Sequence, residues 1–361
     1  MEPSSKSQSL SVSCIIPAHN EEKIIGQTIK DLLNQSVYIG ILVVADRCTD
    51  NTVSIVKEFE KKSIFVKLVE TIDNKDLRAG TINQGIKAIE RRIENIGISP
   101  PDAILIMDAD TRIDKYAVEN GWKTLNSNPK LAAVCSKAGV LPYNGKNILE
   151  WLLYRLQRIE YSMFDENRIE TIDNIMIAHG MCTLHRWNAL IQIGGIAVSI
   201  LEDMATTLKY KSLGYKVTVD LTMKAWTEVP LRFNEWWKQR LRWNRGSIDI
   251  LRQSGLNKVT WPYWEQHIFA CISLILYHLL PLAFIILMIS RGYLLLHGYA
   301  LLILGFSLLF SLYKLKYLED RNLLDYIIRI SILPEVIYGY LQTINLYQGY
   351  FYSLTNKKQS W

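Results

Sequence analysis

Two uncharged apolar runs near the C-terminus constrain the fold of this chain more than any other feature. Ile268–Ile289 and Tyr293–Tyr313 contain no Asp, Glu, Lys or Arg over 22 and 21 residues. A helix of this length reaches roughly 33 Å, enough for the hydrocarbon core of a bilayer. The runs therefore predict two transmembrane spans, and the three-residue link between them predicts an antiparallel hairpin. A buried helix of a soluble protein is the alternative.

The residues that flank these runs indicate a cytoplasmic orientation for both ends of the hairpin. Arg252 and Lys258 precede the first run, and Lys314 and Lys316 follow the second, as is typical of cytoplasmic flanks. Five scattered cysteines without a C-x-x-C pair favour a reducing compartment. The polar N-terminus does not resemble a signal peptide. We expect a multi-pass protein of the cell membrane whose N-terminal region is cytoplasmic.

A third apolar segment, residues 326–354, differs from the two runs in carrying polar side chains. Arg329, Glu335, Gln342 and Asn345 would have to be hidden if this segment crossed a bilayer. We predict a membrane-associated helix at the lipid interface, with a third span as the alternative. The net charge of +6 is spread without long blocks of one sign, and this gives no indication of a nucleic-acid partner.

The first 230 residues alternate between short apolar runs and segments with helical periodicity. The runs with the length and composition of strands are Val12–Ala18, Ile39–Asp46, Ile64–Glu70 and Asp102–Asp108. The segments with helical spacing between them are Glu21–Gln35, Asn51–Lys61 and Gly80–Ile93. This order predicts an α/β fold with a mostly parallel sheet.

The carboxyl ends of the predicted strands indicate where a ligand would bind. Ligands of parallel α/β sheets bind beyond these ends, where the sequence places Pro17–Glu22, Asp46 and Asp108. No G-x-G-x-x-G follows the first strand, which argues against a dinucleotide-binding dehydrogenase. Gly139–Asn147 has the wrong spacing for a phosphate-binding P-loop.

Two acidic pairs have the composition of a catalytic site. Asp108 and Asp110 lie two residues apart at a strand end and point to the same side, and two carboxylates suit Mg²⁺ or Mn²⁺. Glu202 and Asp203 precede a helical segment. They are either charges that favour the helix N-terminus or a general base for a hydroxyl nucleophile.

The pentapeptide QRLRW precedes the first apolar run. If the segment is helical, Gln239, Arg242 and Trp243 share one face, while Arg240 points elsewhere. Arginine binds phosphate in a bidentate manner, and tryptophan can stack on a sugar ring. An amphipathic helix at the membrane surface explains the same residues equally well.

In their order along the chain, these motifs resemble those of the membrane-bound family 2 glycosyltransferases. This group has the GT-A fold and includes the cellulose, hyaluronan and poly-N-acetylglucosamine synthases. The matching segments are IIPAHNEEKII, VVADRCTDNT, RAGTINQG, DADT, HGMCTLHR, LED, WTEVP and QRLRW. Two residues depart from the usual pattern, since Arg78 replaces a lysine and Leu201 a threonine.

The resemblance implies an inverting transfer of a sugar from a UDP-sugar to a polysaccharide or glycan acceptor, with a β-linkage formed. It implies that Asp203 is the catalytic base, with Glu202 beside it, and that Asp108 and Asp110 hold Mg²⁺ or Mn²⁺. The residues implied on the donor side are Pro17, Asn20, Glu21, Glu22, Asp46, Arg78, Asp108, Asp110 and Arg242. The residues implied on the acceptor side are Gly180, Met181, Cys182, Gln239 and Trp243.

The predicted organisation has four parts. We expect a disordered polar tail at 1–10, a GT-A domain with a Rossmann-like sheet at 11–230, amphipathic interface helices at 231–262 and an α-helical membrane region at 263–361. Because only two or three membrane segments are predicted, a partner subunit or a homo-oligomer would have to complete any channel. One alternative function is single transfer to a lipid such as polyprenyl phosphate or a glycolipid. Another is a catalytically silent scaffold.

Overall fold

The structure is a computed structural model. It describes residues 10–170, 174–274, 290, 305, 308–309, 312–313, 315–331 and 333–355. The chain divides into two compact units, residues 1–236 (unit 1) and 237–361 (unit 2). The predicted polar tail at 1–10 lies almost entirely outside the described residues.

The first half of unit 1 confirms the predicted alternation of strands and helices. The strands are β1 (Val12–Ala18), β2 (Ile39–Ala45), β3 (Val66–Glu70) and β4 (Ala103–Met107). The helices are α1 (Ile25–Leu33), α2 (Thr52–Lys62) and α3 (Leu77–Ile96). All pairings in the order β3-β2-β1-β4 are parallel, so the carboxyl ends of β1, β2 and β4 meet at one edge of the sheet.

The second half of unit 1 makes the sheet mixed. Its elements are β5 (Arg112–Ile113), α4 (Ala117–Ser127), β6 (Leu131–Val140), α5 (Ile148–Glu170), β7 (Cys182–Arg186), α6 (Trp187–Gln192), α7 (Glu202–Ser212) and β8 (Lys216–Thr227). The strand order is β3-β2-β1-β4-β7-β6-β8-β5. β7 runs antiparallel to β4 and β6, and β5 runs antiparallel to β8, whereas β6 and β8 are parallel. The predicted parallel pairing therefore holds throughout the first half and only between β6 and β8 in the second.

The central strands are buried on both faces. Every residue of β4 is buried, as expected for a strand covered by helices on each side. Helix α3 approaches the sheet through Gly85, where a β-carbon would lie 2.9 Å from Val44 Cγ2 and 3.0 Å from Ile15 Cγ2. Glycine is required for this close approach, which in turn fixes the N-terminus of α3 beside the strand ends.

Unit 2 is helical in its described residues. Helix α8 (Phe233–Ser254) crosses the boundary between the units and is followed by α9 (Trp261–Leu274), a 3₁₀ turn (Leu315–Tyr317), α10 (Leu323–Ser331) and α11 (Leu333–Leu354). Within the described ranges, no helix has both the length and the apolar character needed to cross a bilayer. The predicted spans 268–289 and 293–313 lie mostly outside those ranges.

The predicted segment 326–354 contains two helices rather than one. Helix α11 begins at Leu333, with Pro334 in its first turn, a position where the missing N–H group costs nothing. Two of the four polar residues of this segment, Arg329 and Asn345, are buried, and Glu335 and Gln342 are half-buried. Arg329 pairs with Glu335 at 2.8 Å, and Asn345 is fully buried.

Helices α8 and α11 are joined by hydrogen bonds that we call the polar seam, formed by Trp237, Asn244, Asn345 and Gln348. Asn345 donates to the Trp237 carbonyl oxygen (2.9 Å) and accepts from Asn244 Nδ2 (3.0 Å). The Trp237 indole donates to Gln348 Oε1 at 2.9 Å. Gly349 allows this approach, because a β-carbon there would lie 3.1 Å from the Arg245 backbone nitrogen.

The opposite side of α10 and α11 exposes an apolar face. Its members are 42% to 73% exposed: Leu323, Leu324, Ile327, Ile330, Leu333, Val336, Ile337, Tyr340, Ile344, Phe351 and Leu354. Within α11, Leu333, Ile337, Tyr340 and Ile344 recur at helical spacing on one side. Contiguous exposed apolar residues of this kind mark an interaction surface.

Candidate active site

A pocket of about 460 Å³ lies at the carboxyl ends of β1, β2 and β4. We call it the strand-end pocket. Pro17 and Glu21 line it after β1, Asp46 after β2, and Asp108 and Asp110 after β4. The structure therefore brings these predicted site residues together, as the parallel arrangement of the first four strands requires.

The connections around this pocket contain strained backbone. Asn20, Arg47 and Leu77 have positive φ values of 59°, 48° and 51°. Residues other than glycine rarely adopt this conformation, and where they do it is often at a functional site. Arg47 and Leu77 both line the strand-end pocket, so two of these strained residues lie in the wall of the candidate site.

The Asp46 carboxylate is fixed in place by two neighbours. Thr71 Oγ1 donates to Oδ1 at 2.6 Å, and Asn74 Nδ2 donates to Oδ2 at 3.1 Å. Arg47 lies 3.5 Å from the same carboxylate. Asp46 is thus a buried, oriented acceptor at the wall of the pocket, in the position where the resemblance predicts contact with the nucleotide.

Asn20 and Glu22 bond to the β2–α2 connection. Asn20 Oδ1 accepts from the Thr49 backbone N–H at 2.8 Å, and Glu22 Oε2 accepts from Asn51 Nδ2 at 2.8 Å. Both residues line a second depression of about 460 Å³ that shares only Glu21 with the strand-end pocket. Their side chains therefore hold two loops together and shape the wall beside the pocket.

Carboxylates crowd the floor of the strand-end pocket. Burial, followed by the charges of Asp110 and Asp108, raises the pKa of Glu21 to about 7. Burial and the Asp108 charge raise the pKa of Asp110 to about 6, although Asp110 also accepts a hydrogen bond from Thr227 Oγ1 at 3.3 Å. Glu228 adds to the repulsion on both groups.

This crowding of carboxylates fits a divalent cation. A cation would relieve the repulsion between Asp108 and Asp110, and oxygen ligands are those that Mg²⁺ and Mn²⁺ prefer. In the part of the chain that the structure describes, no three His, Cys, Asp or Glu side chains form a metal cage by themselves. Two carboxylates leave coordination positions for phosphate oxygens and water, which is the usual arrangement for Mg²⁺ bound with a diphosphate.

Arg78, at the start of α3, connects the two acidic motifs. Its Nε and Nη2 both donate to Asp108 Oδ1, at 2.9 and 2.5 Å. Nη1 donates to Glu202 Oε1, and Nη2 also donates to the Gly180 carbonyl oxygen at 2.8 Å. One guanidinium group therefore neutralises a carboxylate of the predicted metal site and a carboxylate of the LED motif.

Asp203 lies in the first turn of α7 and faces the same cluster. Its Oδ2 accepts from the Gly180 N–H at 3.2 Å, and its Oδ1 accepts from the Met204 N–H at 2.7 Å. Burial, followed by the Glu202 charge, raises the pKa of Asp203 to about 6. A carboxylate held in a fixed orientation with a pKa near neutrality is suited to accept a proton.

The segment after Gly180 turns into the core. The Met181 carbonyl oxygen accepts from the Asp108 N–H at 3.0 Å, and Cys182 is fully buried in β7 opposite Met107. Burial raises the pKa of the Cys182 thiol well above its usual range. Gly180 is thus the member of this predicted acceptor segment that bonds to Asp203 and Arg78, whereas Met181 bonds to the Asp108 backbone and Cys182 lies in the core.

The QRLRW motif lies on α8, in unit 2. Gln239, Arg242 and Trp243 are half-buried. The Arg240 guanidinium lies 4.3 Å from the centroid of the Trp243 ring and donates to the Gln239 side chain. The expectation that Arg240 points away from this group was wrong, because residues three apart on a helix are neighbours and a guanidinium is attracted to an indole face.

Several residues of the site were missed in the sequence. Arg47 lines the strand-end pocket, while Thr71 and Asn74 orient Asp46. Arg47 directly follows Asp46, so adjacency to a motif was an available signal. Thr71 and Asn74 lie in the β3–α3 connection, which contains no recognisable motif, so their contact with Asp46 is evident only in the folded chain.

The chain has the mixed α/β architecture of the GT-A fold. A mannosyltransferase, PcManGT from Pyrobaculum calidifontis in complex with GDP-Man and Mn²⁺, has a similar fold, with a TM-score of 0.61 and 19% identity over 98% of this chain and 89% of that one. Residues 13–194 match the glycosyl transferase family 2. The chain belongs to this family and is a family 2 glycosyltransferase.

Curated relatives agree with this assignment. The probable glycosyltransferase YdaM of Bacillus subtilis (strain 168) is 32% identical over 254 residues, which are 65% of this chain and 55% of the relative. The poly-beta-1,6-N-acetyl-D-glucosamine synthase of Staphylococcus aureus (strain COL) is 25% identical over 245 residues, 66% of this chain and 55% of that enzyme. The chain spans about half the length of these relatives.

Proposed function

We propose that the enzyme moves a sugar from a UDP-sugar to a polysaccharide or glycan acceptor, with inversion and formation of a β-linkage. The observation that carries this proposal is that Arg78, which lines the strand-end pocket, bonds both to Asp108 of the acidic pair and to Glu202, the neighbour of Asp203. One side chain thereby links the residues proposed for the metal site to the segment that carries the proposed base. The Staphylococcus aureus relative, named as a poly-beta-1,6-N-acetyl-D-glucosamine synthase, supports a glycan acceptor.

The donor side of the proposal uses the strand-end pocket. Asp46, held by Thr71 and Asn74, offers an oriented acceptor to the N–H of a uracil ring. Asp108 and Asp110 would hold Mg²⁺ or Mn²⁺, which neutralises charge on the leaving diphosphate. Pro17 and Glu21 form the wall next to them.

The acceptor side of the proposal depends on Asp203. Its carboxylate takes the proton from the acceptor hydroxyl, and the hydroxyl oxygen then attacks the anomeric carbon from the face opposite the diphosphate. The Gly180 N–H orients this carboxylate. From the motif alone, we assign Arg242 to the diphosphate and Gln239 and Trp243 to the acceptor.

We also propose that the enzyme works at the cytoplasmic face of the cell membrane. The exposed apolar face of α10 and α11, together with the uncharged sequence of residues 268–289 and 293–313, supports a bilayer as the partner. The expressed chain should remain with membranes after alkaline carbonate washing and should be released by detergent. Release by carbonate alone would contradict this part of the proposal.

A lipid acceptor is the second candidate, and the same apolar face favours it. Transfer of a single sugar to a polyprenyl phosphate or glycolipid gives a product that partitions into organic solvent. A polysaccharide gives a water-soluble ladder or smear on a gel. A partner subunit or a homo-oligomer remains part of the proposal for the polysaccharide case alone, because a growing chain needs a route across the bilayer.

The test is a screen of nucleotide sugars with the detergent-purified enzyme and Mn²⁺ or Mg²⁺. We expect release of UDP from one UDP-sugar and a product whose mass increases by that sugar. Asp203→Asn, purified in parallel, is the control for hydrolysis by contaminants. Turnover of a GDP-sugar in place of every UDP-sugar would contradict the proposed donor, and the absence of transfer from any nucleotide sugar would favour a catalytically silent scaffold.

A further inference from the structure

We propose that Arg78 makes the binding of the divalent cation conditional on the nucleotide diphosphate, so that the two ligands bind cooperatively. The inference rests on the proposed function, because it takes Asp108 and Asp110 as the metal ligands. It assigns to Arg78 a positioning role that the resemblance does not supply, since the usual residue at this position is a lysine.

The geometry of Arg78 places a cation on the first metal ligand. Two of its nitrogens donate to the same oxygen, Asp108 Oδ1, at 2.9 and 2.5 Å. An oxygen that already accepts two guanidinium hydrogen bonds is a weaker ligand for a metal ion, and the guanidinium charge repels a second cation. A metal ion that binds Asp108 must therefore displace these bonds or share the carboxylate with them.

A diphosphate can remove this obstacle. Phosphate oxygens accept bidentate hydrogen bonds from arginine, and Arg78 lines the strand-end pocket into which the diphosphate is proposed to bind. The bonds from Nε and Nη2 can then pass from Asp108 to phosphate. Nη1 remains anchored on Glu202, which is only 8% exposed, so the guanidinium turns about a fixed point and stays in the site.

The fork shape of the guanidinium, rather than its charge alone, carries this inference. Arginine presents five donors in a rigid plane and can hold Asp108, Glu202 and the Gly180 carbonyl together. The ammonium group of lysine is a compact point charge without this fixed geometry. Arg78→Lys therefore keeps the charge and loses the bridge, whereas Arg78→Gln loses both.

The experiment measures Mn²⁺ binding by electron paramagnetic resonance, with and without UDP, on the detergent-purified full chain. In the wild type, UDP should raise the Mn²⁺ affinity by roughly tenfold or more, within the usual 5–150-fold range of coupling between ligands. By linkage, Mn²⁺ should raise the UDP affinity by the same factor. No turnover is needed for either measurement.

The variants separate the contribution of Arg78 from that of general charge. Arg78→Gln should bind Mn²⁺ alone more tightly than the wild type and should lose most of the coupling factor, with Arg78→Lys intermediate. Arg47→Gln is the matched control, because it removes one positive charge from the same pocket without a bond to Asp108. It should retain the wild-type coupling factor even if UDP affinity falls.

Glu202→Gln should change the Mn²⁺ affinity in the opposite direction to Arg78→Gln. It keeps the inference testable if Arg78→Gln does not fold. Without the Glu202 charge, the guanidinium is attracted more strongly to Asp108, and Mn²⁺ alone should bind more weakly than in the wild type. Unchanged Mn²⁺ affinity and unchanged coupling in folded Arg78→Lys and Glu202→Gln would overturn the inference. A wild type that binds neither Mn²⁺ nor UDP would instead overturn the proposed function.

Discussion

The acidic site of unit 1 and the polar seam of unit 2 bury polar groups in opposite ways. In unit 1, the carboxylates of Glu21, Asp110 and Asp203 are crowded by burial and by neighbouring negative charges, which raise the pKa of each. In unit 2, the polar seam consists of neutral groups joined at 2.9 to 3.0 Å. Crowded charges cost free energy until a ligand neutralises them, whereas satisfied neutral groups fix one arrangement of two helices. The acidic cluster is therefore suited to bind a ligand, whereas the polar seam holds two helices in one arrangement.

The largest expected effect is a fall in the turnover number at low pH, caused by protonation of Asp203 in unit 1. The Asp203 carboxylate must be ionised to accept a proton, and its pKa is raised to about 6. The turnover number at saturating donor and Mn²⁺ should therefore be constant above pH 7 and fall roughly tenfold per unit below pH 6. UDP–Mn²⁺ binding measured in the same buffers controls for loss of the metal. A turnover number that stays flat down to pH 4.5 would remove Asp203 from the role of base.

Trp243→Ala should affect acceptor use more than donor binding. By analogy with nucleobases stacked on aromatic side chains, the platform is worth roughly 1–3 kcal/mol, so acceptor saturation should require a correspondingly higher concentration. UDP affinity, measured by calorimetry, should change little. If UDP affinity collapsed while acceptor saturation stayed normal, Trp243 would belong to the donor side or to the fold of unit 2. Arg240→Gln, which removes the cation over the ring, would show how much that contact orients Trp243.

Asn345→Ala should destabilise unit 2 without changing the acidic site. Its loss removes the Asn345 hydrogen bonds to the Trp237 carbonyl oxygen and the Asn244 amide, both part-buried, at a cost of about 1–3 kcal/mol. Ile344→Ala, on the exposed apolar face of the same helix, is the control and should shift the unfolding transition less in detergent. Equal shifts for the two variants would mean that the polar seam does not position the helices.

Gly349→Ala against Gly339→Ala gives the smallest and most specific comparison. At Gly349 a β-carbon would meet the Arg245 nitrogen at 3.1 Å, whereas at Gly339 it would meet nothing within 4 Å. We expect Gly349→Ala to lower stability by about 1 kcal/mol through overpacking. Gly339→Ala should raise it by about 0.5–1 kcal/mol, since alanine is the better helix former. Equal effects of the same sign would contradict the close approach of α8 and α11.

The contrast between the units also explains which features could be predicted from the sequence. β1, β2 and β4 are short, mainly apolar runs, so these strands and the acids that follow β2 and β4 were found by composition and position alone. The partners of Asp46, and the antiparallel insertion of β7 between β4 and β6, depend on contacts between distant segments that no local pattern encodes. In unit 2, Asn345 could be recognised as a residue to be hidden, but its partners on α8 could not.

The central claim is that Asp110 and Asp203 have different roles within one acidic cluster. Calorimetry of UDP with Mn²⁺, beside a turnover assay, on Asp110→Asn and Asp203→Asn tests it most directly. Asp110→Asn should abolish metal-dependent UDP binding. Asp203→Asn should keep that binding and lose roughly 10²–10⁴-fold in transfer rate, the usual scale for a positioned general base. Equal loss of UDP binding in both variants would contradict the account, because Asp203 would then also ligate the metal or only hold the fold. Normal turnover in Asp203→Asn would also contradict it and would make Glu202 the first candidate for the base.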